Sequence, residues 1–164
     1  MTAAAVASGA SAQPSRTSRV VSAILGAGLT AGVFDFTIAC VESGKPPLFI
    51  GKAVATGWFG KAAIQGGLDV SLIGIASHFF IMFCFATTFV LASLREPALR
   101  RWFFVAGPLY GAVIFDVMRF IVMPLSAAGY GLPKPPTLFI EFAGHVFLVG
   151  LVIASWARGV LGRD

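Results

Sequence analysis

Residues 72–94 read LIGIASHFFIMFCFATTFVLASL, a run of 23 without an Asp, Glu, Lys or Arg and with one histidine, His78. At about 1.5 Å per residue, a helix of that length crosses the roughly 30 Å hydrocarbon core of a bilayer. A helix apolar on every side is buried all round, either in a large soluble core or in lipid. The chain has only 164 residues, and a protein of that size has too much surface for its volume to enclose such a helix in a soluble core. Lipid is the remaining solvent.

Three further stretches repeat the pattern: residues 20–41, 103–125 and 137–157, each 21 to 23 long. Hydrophobic residues make up 57% of the chain and charged ones 12%, about half the charged share of a soluble domain. The mean hydropathy is +0.88. The sequence therefore predicts an all-α fold, an integral membrane four-helix bundle whose first partner is the lipid bilayer.

Glycine and proline mark the breaks: Gly44-Lys45-Pro46-Pro47 after the first span, Glu96-Pro97 after the second, and Gly131 to Pro136 before the fourth. Residues 48–65 are apolar but interrupted by Lys52, Thr56 and Lys61. The segment is too polar to span and too apolar to float free, which predicts an interfacial helix on the outer surface, with a short re-entrant segment as the alternative. Residues 1–19, rich in Ala, Ser and Thr with Pro14, Arg16 and Arg19, read as a disordered cytoplasmic tail. Residues 158–164 read as a second cytoplasmic tail. Cys40 and Cys84 fall at depths differing by roughly 15 Å or more, too far apart for a disulfide.

The net charge is +5, but the basic residues stand singly at the ends of apolar runs. That distribution orients a membrane protein and does not make a nucleic-acid-binding face. With the N-terminus inside, cytoplasmic segments hold Arg16, Arg19, Arg95, Arg100, Arg101, Arg158 and Arg163, against Lys45, Lys52, Lys61 and Lys134 outside. The short loop with Arg95, Arg100 and Arg101 weighs most. Both termini are expected on the cytoplasmic side of a bacterial inner membrane.

Six ionisable residues lie within the spans: Asp35, His78, Asp116, Arg119, Glu141 and His145. Such residues are costly in lipid and face a bundle interior or a water-filled cavity. Counted from the outer end of each span, all six lie roughly 6 to 14 Å deep, so four helices contribute to one layer in the outer half. Gly28, Gly32 and Asp35 share a helical face, as do Gly74 with His78, Ala112 with Asp116 and Arg119, and Glu141 with His145. The Gly28/Gly32 and Gly107/Gly111 pairs form GxxxG packing faces, for contacts within the bundle or for a homodimer.

Each polar residue also has a structural reading. Asp116 and Arg119, at i and i+3, form a self-neutralising pair; Asp35 and either histidine serve as interhelical hydrogen-bonders; Glu141 reaches the headgroups. Their convergence at one depth is more than helix gluing requires, and carboxyl groups in apolar surroundings suit proton exchange. Two histidines with carboxylates also suit a transition metal, and His78 with His145 suits axial ligation of one haem. No HExxH, CxxCH, CxxC, P-loop, dinucleotide fingerprint or nucleophile elbow is present, so no enzyme class is indicated.

Several features together resemble small bacterial inner-membrane proteins related to the YagU-like family. They are Gly28-Leu-Thr-Ala-Gly32 followed by Asp35, Gly57-Trp-Phe-Gly60 before Gly66-Gly67, His78-Phe79, Tyr110-Gly111, Pro124-Leu125-Ser126 and His145. The resemblance spans about residues 25 to 157, excludes Arg119 and Glu141, and implies a four-helix inner-membrane protein without a particular activity. The functional readings are therefore three: handling of protons, ions or a small solute through the polar layer; an accessory or assembly subunit of a larger membrane complex; and a metal- or haem-binding membrane protein.

Overall fold

The computed structural model describes residues 14–129 and 131–162. Four helices are long and apolar enough to cross a membrane: α1 (Arg16–Ser43), α3 (Leu68–Arg95), α5 (Phe103–Leu125) and α6 (Thr137–Leu161). Between them lie α2 (Pro47–Phe59) and the four-residue α4 (Ala98–Arg101). A 3-10 helix, Gly60–Gln65, links α2 to α3.

The local sequence sets these limits. Ser15 caps α1 by accepting a hydrogen bond from the Ser18 N–H at 3.1 Å. That cap starts α1 four residues before the expected span, so residues 16–19 are helix and not tail; residues 1–13 of that expected tail lie outside the described residues. At the other end Gly44 adopts φ 62°, a left-handed conformation open to glycine, and turns the chain toward Pro46 and Pro47. Pro47, at the first position of α2, lacks only an N–H that the helix start leaves unused. Pro97 ends α3. α6 continues to Leu161, beyond the expected limit of its span at 157.

The bundle is turned inside out relative to a soluble protein. Phe80, Leu109, Phe120, Phe139 and Phe147 are all more than half exposed, which water would not tolerate over so continuous a surface and which acyl chains cover. The core is built from small side chains: Ala23, Ala27 and Ala31 of α1 are fully buried against Ala86, Val90, Val149, Ile153 and Ala154. Apolar helices gain little from hydrophobic burial inside lipid, so close van der Waals approach holds them together. α1 sits between α3 and α6, and α6 between α1 and α5.

Both GxxxG faces are used within the bundle. Gly28 receives the ring of Phe83 and Gly32 that of Phe79, while Gly107 and Gly111 lie against the backbone of α6 at Gly150–Leu151 and His145–Val146. α5 is tied to α3 by the Tyr110 hydroxyl, which donates to the Phe85 carbonyl at 2.8 Å. Tyr110→Phe is expected to lower stability by about 1 kcal/mol, read as a shift in the detergent-unfolding midpoint without a change of helix content.

The segment between α1 and α3 forms the expected helix and packs intimately onto α3. Gly51 and Gly74 bring the two backbones into direct contact, and Ile50, Ala55 and Thr56 are buried. Trp58 Nε1 donates to Ser77 Oγ at 3.0 Å, and the Ala127 N–H donates to the Gly57 carbonyl at 2.9 Å. α2 is thus held between α3 and the chain leaving α5, alongside the part of α3 that leads to His78.

Candidate functional site

Gly32 is where the site begins. Lacking a Cβ, it lets α3 approach so closely that His78 Nε2 stands 3.0 Å from the Gly32 carbonyl oxygen. A carbonyl only accepts, so Nε2 carries the proton and Nδ1 is left for another partner. That nitrogen faces Asp35 Oδ2 at 4.0 Å.

His145 repeats the arrangement from α6. Its Nδ1 donates to the Glu141 carbonyl one turn earlier, at 2.8 Å, and its Nε2 faces Asp35 Oδ1 at 4.0 Å. One carboxyl group on α1 therefore stands between two imidazoles, one oxygen toward each. Each ring is fixed through its other nitrogen to a backbone carbonyl.

Beside this triad Arg119 of α5 forms an ion pair with Glu141 of α6, from Nη2 to Oε2. Glu141 consequently holds His145 through its backbone and Arg119 through its side chain. Aromatic rings wall the cluster: Phe36 and Phe79 lie edge-on to His78, each with centroids 5.2 Å away, and Phe115 lies 5.6 Å from His145. The Arg119 guanidinium stands 6.0 Å from the centre of the same Phe115 ring.

Five of the six expected residues, Asp35, His78, Arg119, Glu141 and His145, thus meet. Asp116 does not. It is exposed on the stripe of α5 that also carries Leu109, Val113 and Phe120, and among the described residues nothing pairs with its carboxylate. The expected Asp116–Arg119 pair is absent for a local reason: just past Asp116 the helix enters a π-helical turn, Met118–Val122, which contains Arg119 and turns it inward alone. α6 carries a second π-helical stretch, Gly144–Gly150, which contains His145.

Glu42 joins the cluster from beyond the expected end of the first span. It lies two turns above Asp35 on the same face of α1, and one of its carboxyl oxygens is buried with no hydrogen-bond partner among the described residues. Glu42 and Asp35 both stand close enough to Arg119 to attract its charge. The i, i+7 spacing from Asp35 is the sequence signal that points to it. Three carboxyl groups therefore face one guanidinium, so the cluster favours an added cation.

The geometry limits what that cation can be. Ligand atoms around a tetrahedral zinc, bound at about 2.0–2.1 Å, stand closer together than the 4.0 Å that separates each imidazole from Asp35. Among the described residues no three His, Cys, Asp or Glu are arranged to hold a metal ion. Between His78 and His145 lies the Asp35 carboxyl group, in the space a haem iron would need.

Fold and site together define a multi-pass membrane protein with an ionisable cluster buried among its four apolar helices. No known protein family, curated protein or solved structure matches the chain.

Proposed function

We propose that this protein moves protons through the Asp35 cluster, in a bacterial inner membrane with both termini cytoplasmic. The observation that carries the reading is the His78–Asp35–His145 arrangement. The 4.0 Å gaps are too long for direct hydrogen bonds and fit one intervening water or a small side-chain rotation. Each imidazole offers Asp35 a nitrogen without a proton, so a proton arriving on either ring can pass to the carboxyl group and leave by the other. Arg119, held by Glu141, keeps the local charge from becoming too negative. Membership of the YagU-like inner-membrane proteins, proposed on the short motifs alone, would put the chain in the same membrane and adds nothing on activity.

The test is proton flux into liposomes driven by a potassium diffusion potential, followed with an internal pH dye. The native chain is expected to exceed protein-free vesicles, and Asp35→Asn to lower the rate by about 10²-fold or more, the lower end of the usual contribution of a positioned acid–base group. Flux unchanged in the Asp35→Asn, His78→Ala double variant sinks the reading.

A second reading, a subunit of a larger membrane complex, has Asp116 in its favour. A carboxylate on a lipid-facing stripe is costly, and a neighbouring helix bringing a hydrogen-bond donor or a second copy of this chain would cover it. Under that reading the chain extracted in mild detergent migrates with partners, and Asp116→Leu releases it from them; migration as a single copy before and after the change excludes it.

A further inference from the structure

Glu42 is the carboxyl group of the cluster to which the proton-moving reading gives no role. It lies in the last turn of α1, seven residues beyond Asp35 and on the same face. The two residues therefore stand about 10 Å apart along the helix axis. Glu42 as a residue is half-buried, yet its Oε1 is enclosed, with no hydrogen-bond partner among the described residues. Its carboxyl group thus straddles the boundary of the bundle, with one oxygen inside it.

The surroundings tie this group to Asp35 on one side and to solution on the other. Arg119 is close enough to attract both carboxylates, so one guanidinium lies near the two of them. Just past Glu42 the helix ends at Ser43, and Gly44 and Lys45 are exposed. Lys45, the nearest cation along the chain, stands over the Phe49 ring at 5.4 Å. Toward the opposite end, α1, α3 and α6 carry no charged side chain or histidine between the cluster and Arg19, Arg95 and Arg158. The core on that side is apolar, with Ala23, Ala27, Val90 and Ile153 fully buried. A proton in solution therefore meets the cluster first from the Ser43 end.

We propose that Glu42 is the entry group through which protons in solution reach Asp35. This rests on the proton-moving reading and adds to it the side from which the cluster is loaded. Hydronium or a buffer acid gives its proton to the Glu42 carboxylate, forming an O–H bond. That bond breaks as a proton passes along hydrogen-bonded water to the Asp35 carboxylate, and Glu42 is a carboxylate again. Two or three waters linked at about 2.8 Å cover such a distance. A fixed negative charge at the mouth also raises the local concentration of the cation it exchanges, which speeds arrival by about tenfold or more.

The test is the liposome flux assay at rising concentrations of a membrane-impermeant buffer, MES, equal on both faces, with the rate corrected for buffering power. Native flux is expected to depend little on the buffer. In dilute buffer Glu42→Gln should be slower by about tenfold, and concentrated MES should restore it toward the native rate by delivering protons in place of the lost carboxyl group. Asp35→Asn should stay slow at every concentration. Glu42→Ala is expected to behave as Glu42→Gln does, so the result does not hang on the folding of one variant. A slow Asp35→Asn beside a Glu42→Gln as fast as the native chain overturns the entry role and leaves the proton-moving reading standing. Slow Glu42 variants that MES does not restore also overturn it, because the loss then lies in packing. Native flux no higher than that of protein-free vesicles removes both.

Discussion

Arg119→Ala is expected to destabilise the bundle by about 3–5 kcal/mol, because it strands the Glu141 carboxylate among apolar helices. The side chains of the pair are 17% and 24% exposed, so water reaches neither freely. Removing both charges in Arg119→Leu/Glu141→Leu should cost less than removing Arg119 alone, since no unpaired charge then remains. Unfolding of the purified variants by added SDS, followed by circular dichroism, measures this. A double variant as unstable as the sum of the single ones would show that the pair is not energetically coupled.

Gly74→Val is the second large effect expected. A Cβ on Gly74 would meet the Gly51 carbonyl, with the Gly51 carbonyl carbon at 2.7 Å and the Ala55 nitrogen at 2.9 Å. These are backbone atoms that cannot rotate away, so α2 must lift from α3. The cost should reach at least about 3 kcal/mol, the upper end for an overpacked interior. Gly57→Ala is the control, because a Cβ there meets only Ser126 Cβ, at an ordinary 3.8 Å. With Cys40 and Cys84 replaced by serine, an Ala55→Cys thiol is buried beneath α2 in the native bundle and should become reactive when Gly74→Val is added. Slow labelling in both backgrounds would show that α2 stays seated.

How much of this was legible in the sequence depended on which physical rule applied. The four spans were, because hydrocarbon selects length and composition over any detail of packing. That Asp35, His78, Glu141 and His145 share one level of the bundle was also legible, since a regular helix converts residue number into distance. The same arithmetic brings Arg119 to that level but pairs it with Asp116, where the structure pairs it with Glu141. Its pairing depends on a π-helical turn after Val117, and helical spacing assumes that no such turn exists. Glu42 lies outside the apolar run, which ends at Val41, although its helix continues to Ser43. The seat of α2 on α3 depends on Gly51 meeting Gly74, a match between surfaces that neither segment reveals alone.

The two π-helical stretches set how tolerant this machinery is to change. Each fits more residues into a turn than a regular helix does, so each behaves as an insertion absorbed in place. On α5 and α6 the segments on either side of the π-helical stretch therefore keep close to the rotational phase of one continuous helix. Dropping one residue from Gly144–Gly150 would let the coil close into a regular helix with the flanking segments near their present phase, whereas a deletion in a regular turn of α6 would swing one side by about 100° relative to the other. A one-residue deletion is thus absorbed more readily inside Met118–Val122 or Gly144–Gly150 than in the regular turns on either side of them.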